Sequence, residues 1–316
     1  MFRVGIDLGG TNIAVGVVNE NYEIVGRGKV KTRAPRPAGE IAKDIKVAVD
    51  MALQDAGVKI DDIASIGIGA PGSVNPETGV IGFSNNLGFT NVPLVSMLEE
   101  LLSKKVLIDN DANAAALGEM VAGAGKGTKN FVAITLGTGV GGGTIINGKM
   151  LLGSNYAGGE LGHTVICLDG EKCTCGRHGC WEAYASATAL IRQTKRKMEQ
   201  RKDSAMWKIA KDFNGVNGKT AFDAMRLGDD AGIEVVDEYC RYVACGITNI
   251  INIFQPEILC IGGGISKEGD NLLSRINKYV ENERFSKNID MQTVIKTAQL
   301  GNDAGIIGAA QLSEIY

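Results

Sequence analysis

The sequence predicts an α/β protein built from two related halves that face each other across a cleft. Three observations predict it: strand-like runs alternate with amphipathic helical ones, the opening strand pattern returns near the middle of the chain, and glycine-rich turns follow strand-like runs in both halves. The repeat keeps its register. At a constant offset of 128 residues, Leu8 falls on Leu136, Gly9 on Gly137, Val17 on Ile145, Val18 on Ile146 and Asn19 on Asn147.

Residues 2–8, 13–18 and 22–31 read as strands separated by Gly9-Gly10 and Asn19-Glu20-Asn21, which is the pattern of antiparallel hairpins. From Ala38 the apolar positions Ile41, Ile45, Val49, Ala52, Leu53 and Ala56 line one face of a helix that Gly57 ends. Strands are expected at 63–69 and 106–108. The second half restarts with strands at 131–136 and 144–146. It continues with helices around 233–251, stopped by Pro256, and 272–280, with a strand at 258–261 between them. A last helix at 306–312, capped near Asn302 or Asp303, is expected to return to the first domain. The expected division is a smaller α/β domain of residues 1–109 with 300–316, and a larger one of 110–299.

Composition narrows the function classes. With 316 residues, 44% hydrophobic and 22% charged, the chain has the balance of a soluble globular protein of two domains. Its 33 basic and 36 acidic residues nearly cancel, so no global field favours nucleic acid or an anionic membrane. No apolar run approaches the ~18 residues of a membrane span. Met1-Phe2-Arg3 leads into a strand-like run rather than a signal peptide, so the expected compartment is the cytoplasm. The basic stretch 192–202 alternates with Gln, Met and Glu and reads as a solvated helix face. Glycine is the compositional oddity: 43 residues, roughly twice the usual ~7% share.

Three glycine turns directly follow strand-like runs: Asp7-Leu8-Gly9-Gly10-Thr11-Asn12, Leu136-Gly137-Thr138-Gly139 and Ile261-Gly262-Gly263-Gly264. Each exposes backbone N–H groups that can hold phosphate oxygens, although any one alone is equally a tight turn, and none is a Walker A or a clean dinucleotide fingerprint. Together with the acid Asp7 they suit a Mg-nucleotide clamped between two halves. A second acidic turn, Asp109-Asn110-Asp111-Ala112-Asn113, runs into a helix of small residues. Asp109 or Asp111 could cap that helix, and either could instead serve as a general base.

Seven cysteines are an odd number, and Cys173, Cys175 and Cys180 crowd into eight residues. In a reducing compartment, C-x-C-x4-C with intervening glycines points to zinc, with a histidine as the fourth ligand of a closed tetrahedral set. His163 and His178 compete for that place, and Cys167 stands outside. Four protein ligands leave no open position, so the metal's role is structural. Cys240, Cys245 and Cys260 sit in helical or strand patterns and read as core.

Taken together, the three glycine turns, the acidic turn and the cysteine cluster resemble the ROK family of sugar kinases and repressors, within the actin-like ATPase (ribonuclease H-like) fold, over nearly the whole chain. The resemblance implies a nucleotide and sugar cleft between two α/β domains. It puts Asp7 near Mg²⁺ and the γ-phosphate of ATP, with Gly9, Gly10, Thr11 and Asn12 in the first phosphate turn. Gly137, Thr138 and Gly139 form the second, and Gly263 with Gly264 lies beside the nucleoside. Asp111 becomes the base and Asn110 a contact to a neighbouring sugar hydroxyl. Gly72 and Asn86 come from loops that pass the sugar, with Asn85 a rival to Asn86. His163 is favoured over His178 as the partner of Cys173, Cys175 and Cys180 on Zn²⁺. Glu160, Glu182 and the free nitrogen of His163 then contact sugar hydroxyls.

The implied activity is transfer of the γ-phosphate of ATP to the 6-hydroxyl of a hexose. The segments around Asn86 and Glu182 look most like those of bacterial glucokinases and favour glucose. N-acetylmannosamine and fructose are the alternatives, as is a non-catalytic sugar sensor. The family's repressors carry a helix-turn-helix before the first glycine turn, for which Asp7 leaves no room here. Family habit adds a homodimer or homotetramer.

Overall fold

A computed structural model describes residues 1–316. Its contacts divide the chain into two compact units: unit 1 is Met1–Ala133, Gly143–Gly159 and Gln299–Tyr316, and unit 2 is Ile134–Gly142 and Glu160–Ala298. Unit 1 therefore runs past residue 109 and takes in the helix that follows the acidic turn.

In unit 1, β1 (Phe2–Leu8), β2 (Asn12–Val18) and β3 (Ile24–Lys31) form the two hairpins read from the sequence. The third strand begins later than expected because Tyr22 adopts a left-handed turn conformation, φ 63°. Helix α1 (Ala38–Ala56) ends at Gly57, whose φ of 68° suits glycine at that position. The chain continues through β4 (Ile63–Ala70), β5 (Ser73–Asn75), β6 (Val80–Ser84), β7 (Phe89–Val92), α2 (Leu94–Leu102), β8 (Val106–Asn110) and α3 (Asp111–Ala122). The main sheet has the order β3-β2-β1-β4-β8, with β1, β4 and β8 parallel. Strands β5, β6 and β7 form a small antiparallel sheet that sequence reading missed, being short and interrupted by Gly79 and Gly82.

The opening pattern then repeats. β9 (Phe131–Leu136), β10 (Val140–Ile146) and β11 (Lys149–Met150) are followed, after a long irregular segment, by α4 (Glu182–Ala185), α5 (Ala187–Gln200), α6 (Met206–Ala210), α7 (Thr220–Arg226) and α8 (Asp230–Phe254). Then come β12 (Ile258–Gly262), α9 (Asp270–Glu283), β13 (Val294–Thr297) and α10 (Ala304–Ala310). The second sheet, β11-β10-β9-β12-β13, repeats the strand order of the first, and β10 matches β2 at both ends under the 128-residue offset. The repeat seen in the sequence is thus a repeat of topology.

Glycine explains how unit 1 packs. α10 lies on β1, β4 and α3 so closely that a Cβ at Gly5 would sit 1.8 Å from the Ile306 carbonyl oxygen, and one at Gly308 would sit 1.7 Å from that of Ala114. The expected cap of this last helix differs from what is found. Asp303 precedes α10, but its carboxylate forks onto Arg27 at 2.7 and 2.8 Å and caps nothing, so the helix is entered through a 3-10 turn, Gly301–Asp303. In unit 2 the long helix α8 begins under the Asp229 carboxylate, which accepts from Gly232 N–H. The basic face of α5 is tied down by Arg192 and Arg196 to Glu171 and by Lys197 to Glu234. No helix is long and apolar enough to cross a membrane.

Candidate active site and metal centre

The acidic turn of unit 1 is where β8 passes directly into α3, and its residues divide the work. The helix cap is Asn110: its Oδ1 accepts from Ala112 N at 2.9 Å and Asn113 N at 3.4 Å, and its Nδ2 donates to the Gly72 carbonyl at 3.1 Å. Neither aspartate takes the capping role that spacing allowed. Asp109 is buried instead and is held from three sides, by Asn110 N at 2.6 Å, Asn113 Nδ2 at 3.0 Å and the Tyr316 hydroxyl at 2.7 Å. Burial still holds its carboxyl above the usual range, and those three bonds oppose the rise. Asp111 is only half-buried, with one bond from the adjacent Ala112 N–H, and burial raises its pKa as well. The turn therefore offers one carboxylate without a structural duty, Asp111. Asn110 keeps a single amide hydrogen for anything else.

Asp7, at the end of β1, is raised to about 6, first by burial and then by the charge of Asp111. It lines a cavity of about 440 Å³ in unit 1 with Asn12, Lys29 and the Arg27–Asp303 pair. The Asn12 Oδ1 atom is buried and has no hydrogen-bond partner. A carboxylate beside an orphaned amide oxygen is an all-oxygen donor set that fits a hard divalent cation. The first glycine turn is closed by Gly9 N to the Asn12 carbonyl at 2.9 Å, with Thr11 exposed at its tip. Gly10 abuts Asn86, where a Cβ would come 3.1 Å from the Asn86 carbonyl oxygen. Asn85 and Asn86 are both exposed. Gly72, at φ 110°, could not carry a side chain, since its Cβ would meet the Phe83 carbonyl oxygen at 2.1 Å.

In unit 2, the second glycine turn is anchored to the start of α5. Ala187 N donates to the Gly137 carbonyl at 2.8 Å, the Thr188 hydroxyl donates to the Thr138 carbonyl at 2.8 Å, and Gly137 N reaches the Gly139 carbonyl at 3.0 Å. A Cβ on Gly139 would collide with Glu182 Oε2 at 2.3 Å. That oxygen accepts from Val140 N at 3.0 Å, while Oε1 accepts from the Thr174 hydroxyl at 3.1 Å and the Cys173 thiol at 3.6 Å. Glu182 thus joins the phosphate-type turn to the cysteine loop, leaving fewer lone pairs free than a solvated glutamate has. Gly263, at φ 87°, and Gly264 form the exposed third turn after β12.

His163, Cys173, Cys175 and Cys180 bring one ligand atom each to within 4.8 Å of the others. Zinc with sulfur at ~2.3 Å and nitrogen at ~2.0–2.1 Å in a tetrahedron requires S–S and S–N separations of roughly 3.8 and 3.6 Å. The observed Cys175–Cys180 Sγ distance is 3.7 Å, and Cys173 Sγ lies 3.6 Å from His163 Nδ1. The donor set fits zinc, His163 uses Nδ1, and its Nε2 is the nitrogen left over. His178 and Cys167 lie outside the cluster. The loop folds as a miniature hairpin, bridged at Lys172–His178 and Val165–Cys180. Gly179 is required there, because its Cβ would sit 1.7 Å from the Cys167 carbonyl oxygen. Trp181, fully buried, then pins the loop to α8 through Nε1 to the Tyr242 carbonyl at 2.8 Å. Burial, followed by its neighbouring thiols, pushes the Cys180 thiol pKa up, a penalty that a bound cation reverses by deprotonating it. Glu160 is exposed at the head of the short turn that carries His163, and its carbonyl accepts from His163 N at 3.1 Å.

Sequence reasoning missed Tyr316, Asn113 as a partner of Asp109, and Thr174. Lone polar residues without a motif give no signal of such contacts. The remaining core cysteines are as expected, with Cys240 and Cys260 buried and Cys245 partly so.

The profile of the ROK family matches residues 3–315. The chain is 40% identical over 311 residues to the glucokinase of Halalkalibacterium halodurans, covering 98% of this chain and 94% of that protein. It is 37% identical over 310 residues to the glucokinase of Thermotoga maritima, covering 98% and 96%. Among solved structures, a ROK family glucokinase from Streptomyces griseus in complex with glucose and AMPPNP superimposes with a TM-score of 0.79 at 36% identity, covering 99% of each chain.

Proposed function

The chain belongs to the ROK family, and from that premise we propose that it is an ATP-dependent glucokinase, moving the γ-phosphoryl group of ATP to the 6-hydroxyl of glucose. One observation carries the assignment of the base: Asn110 caps α3, so the half-buried Asp111 carboxylate beside it is free for chemistry. Phosphoryl transfer asks for an attacking hydroxyl held in line and relieved of its proton as the new bond forms. Asp111 accepts that proton while the O–P bond to glucose forms and the bond to the ADP leaving group breaks. Its burial-raised pKa makes it a better acceptor than an ordinary surface aspartate.

Asp7 and Asn12 are the residues that would supply oxygens to the Mg²⁺ accompanying ATP, which would neutralise phosphate charge. Gly9, Gly10, Thr11 and Asn12, and Gly137, Thr138 and Gly139, offer N–H and hydroxyl groups of the kind that hold phosphates. Gly263 and Gly264 leave room for the nucleoside. The spare amide hydrogen of Asn110, the Asn86 side chain, the loop at Gly72, Glu160, His163 Nε2 and the remaining lone pairs of Glu182 are the groups offered to the sugar hydroxyls. Zinc would be held by His163, Cys173, Cys175 and Cys180 and, with four protein ligands, would order the loop rather than take part in the reaction. The protein works in the cytoplasm as a homodimer or homotetramer, which sedimentation velocity checks.

An assay coupled to ADP release across glucose, mannose, fructose and N-acetylmannosamine tests the reading. Glucose gives the highest kcat/KM. A preference for fructose or N-acetylmannosamine overturns the sugar assignment, and no turnover with any hexose converts the enzyme into a sensor.

A further inference from the structure

The proposed base has a buried carboxylate as a near neighbour, and that carboxylate is bonded by a residue 207 positions away from it in the chain. Asp109, on β8 two residues before Asp111, is 1% exposed and makes three hydrogen bonds. Its Oδ1 receives Asn110 N–H and Asn113 Nδ2, so one oxygen fixes both the residue before the base and the first turn of the helix after it. Its Oδ2 receives the Tyr316 hydroxyl at 2.7 Å. A buried carboxylate without its full set of donors either protonates or rotates toward a better partner. Either change breaks the Oδ1 geometry that Asn110 and Asn113 depend on.

We infer that Tyr316 is a positioning residue for phosphoryl transfer, acting through Asp109 to hold the Asn110–Asp111 peptide where the base meets the sugar hydroxyl. This rests on the reading of Asp111 as the base. The physical logic is that of a catalytic group kept within a fraction of an ångström by a supporting shell. The Tyr316 hydroxyl bonds to Asp109, not to Asp111. Its bond loads the one oxygen of Asp109 that the turn does not use, and so fixes the carboxylate's rotation about its own axis. A small misplacement of a base changes the transition state far more than it changes ground-state binding, so the effect falls on kcat.

The test is a double-mutant cycle of Tyr316→Phe and Asp109→Asn, with Asp111→Asn measured alongside, each by steady-state kinetics with glucose and ATP and by a melting curve. Tyr316→Phe keeps the ring and removes only the donor. The expected outcome is a kcat lowered about tenfold, with KM for glucose and ATP within about twofold. In the Asp109→Asn background the further loss is less than about twofold, because the path is already cut. A purely structural tyrosine would lower the melting temperature and leave kcat intact, which overturns the inference, as do additive losses in the cycle. If Tyr316→Phe does not fold, Asn113→Ala removes another donor to Asp109 and is held to the same kcat-against-KM split. Loss of turnover in Asp111→Asn with a normal Tyr316→Phe removes this inference alone. Retained turnover in Asp111→Asn removes the base and the inference with it.

Discussion

The acidic turn of unit 1 and the cysteine loop of unit 2 are ordered by opposite means. The acidic turn is ordered by the fold itself. A parallel strand runs directly into a helix, Asn110 closes its first turn, and Asp109 is locked by three hydrogen bonds. The cysteine loop, residues 160–181, has little regular structure, and its shape depends on two isolated β-bridges, the buried Trp181 and the cluster of His163, Cys173, Cys175 and Cys180. One region is preorganised by backbone pairing that the rest of the sheet enforces; the other would be ordered by a metal cross-link that a chelator can remove.

The largest effect separates the two regions most sharply. Asp111→Asn keeps volume and a hydrogen bond but removes the base, and kcat falls ~10²-fold or more while glucose still binds by calorimetry. Near-normal turnover would assign the carboxylate to structure and dissolve the contrast from the unit 1 side. Next comes the loop. Cys175→Ala loses zinc by metal analysis and weakens glucose binding by roughly tenfold, more than it weakens ATP binding. Circular dichroism and a melting curve on the same sample separate local from global damage. A folded, zinc-free protein that binds glucose normally would sink the idea that the metal orders the sugar contacts.

A smaller effect sharpens the link inside unit 2. Gly139→Ala drives a methyl group into Glu182 Oε2, so the carboxylate must leave Val140 N–H, and KM for ATP rises by about 5-fold. An unchanged KM would mean that Glu182 serves the sugar alone. The smallest effect is on stability and belongs to unit 1. Asp7 has its pKa raised in the fold from 3.8 to about 6, so the folded protein holds that proton more tightly than the unfolded chain does. Folded stability from this group therefore falls as pH rises from about 4 to 6, and the ionised form is a liability at pH 7. Asp7→Asn removes it, raising the melting temperature of the metal-free protein by about 2–4 °C at pH 7 and by nothing near pH 4, while activity is lost. A flat difference across pH would place the effect elsewhere.

Much of this was legible in the sequence, for reasons that differ by element. The hairpins of β1 to β3 and the helix α1 announce themselves by period and by Gly57, and the repeat aligned β2 with β10 before any coordinates. The cluster of His163, Cys173, Cys175 and Cys180 was legible because sulfur spacing is restrictive; the cramped eight-residue loop and the resemblance favoured His163 over His178, and the 3.6 Å separation from Cys173 supports that choice. Strands β5 to β7 were illegible because their pairing, not their composition, makes them strands. The division of labour within residues 109–111 was hidden too. Asp and Asn are near-equal caps on propensity, and it took the Gly72 carbonyl, distant in sequence, to hold Asn110 in that role. Tyr316 gave no sign of its partner, since a phenol bonded across 207 positions leaves no local pattern.

The Glu182 carboxylate has a consequence for how such an enzyme would sense its surroundings. One of its oxygens rests on Val140, just past the glycine turn, and the other on Thr174, between two zinc ligands. A loop that relaxes when the metal departs pulls on the same carboxylate that buttresses the turn at Gly139. In zinc-poor growth the enzyme would therefore not lose sugar recognition alone: its handling of both substrates would decline together.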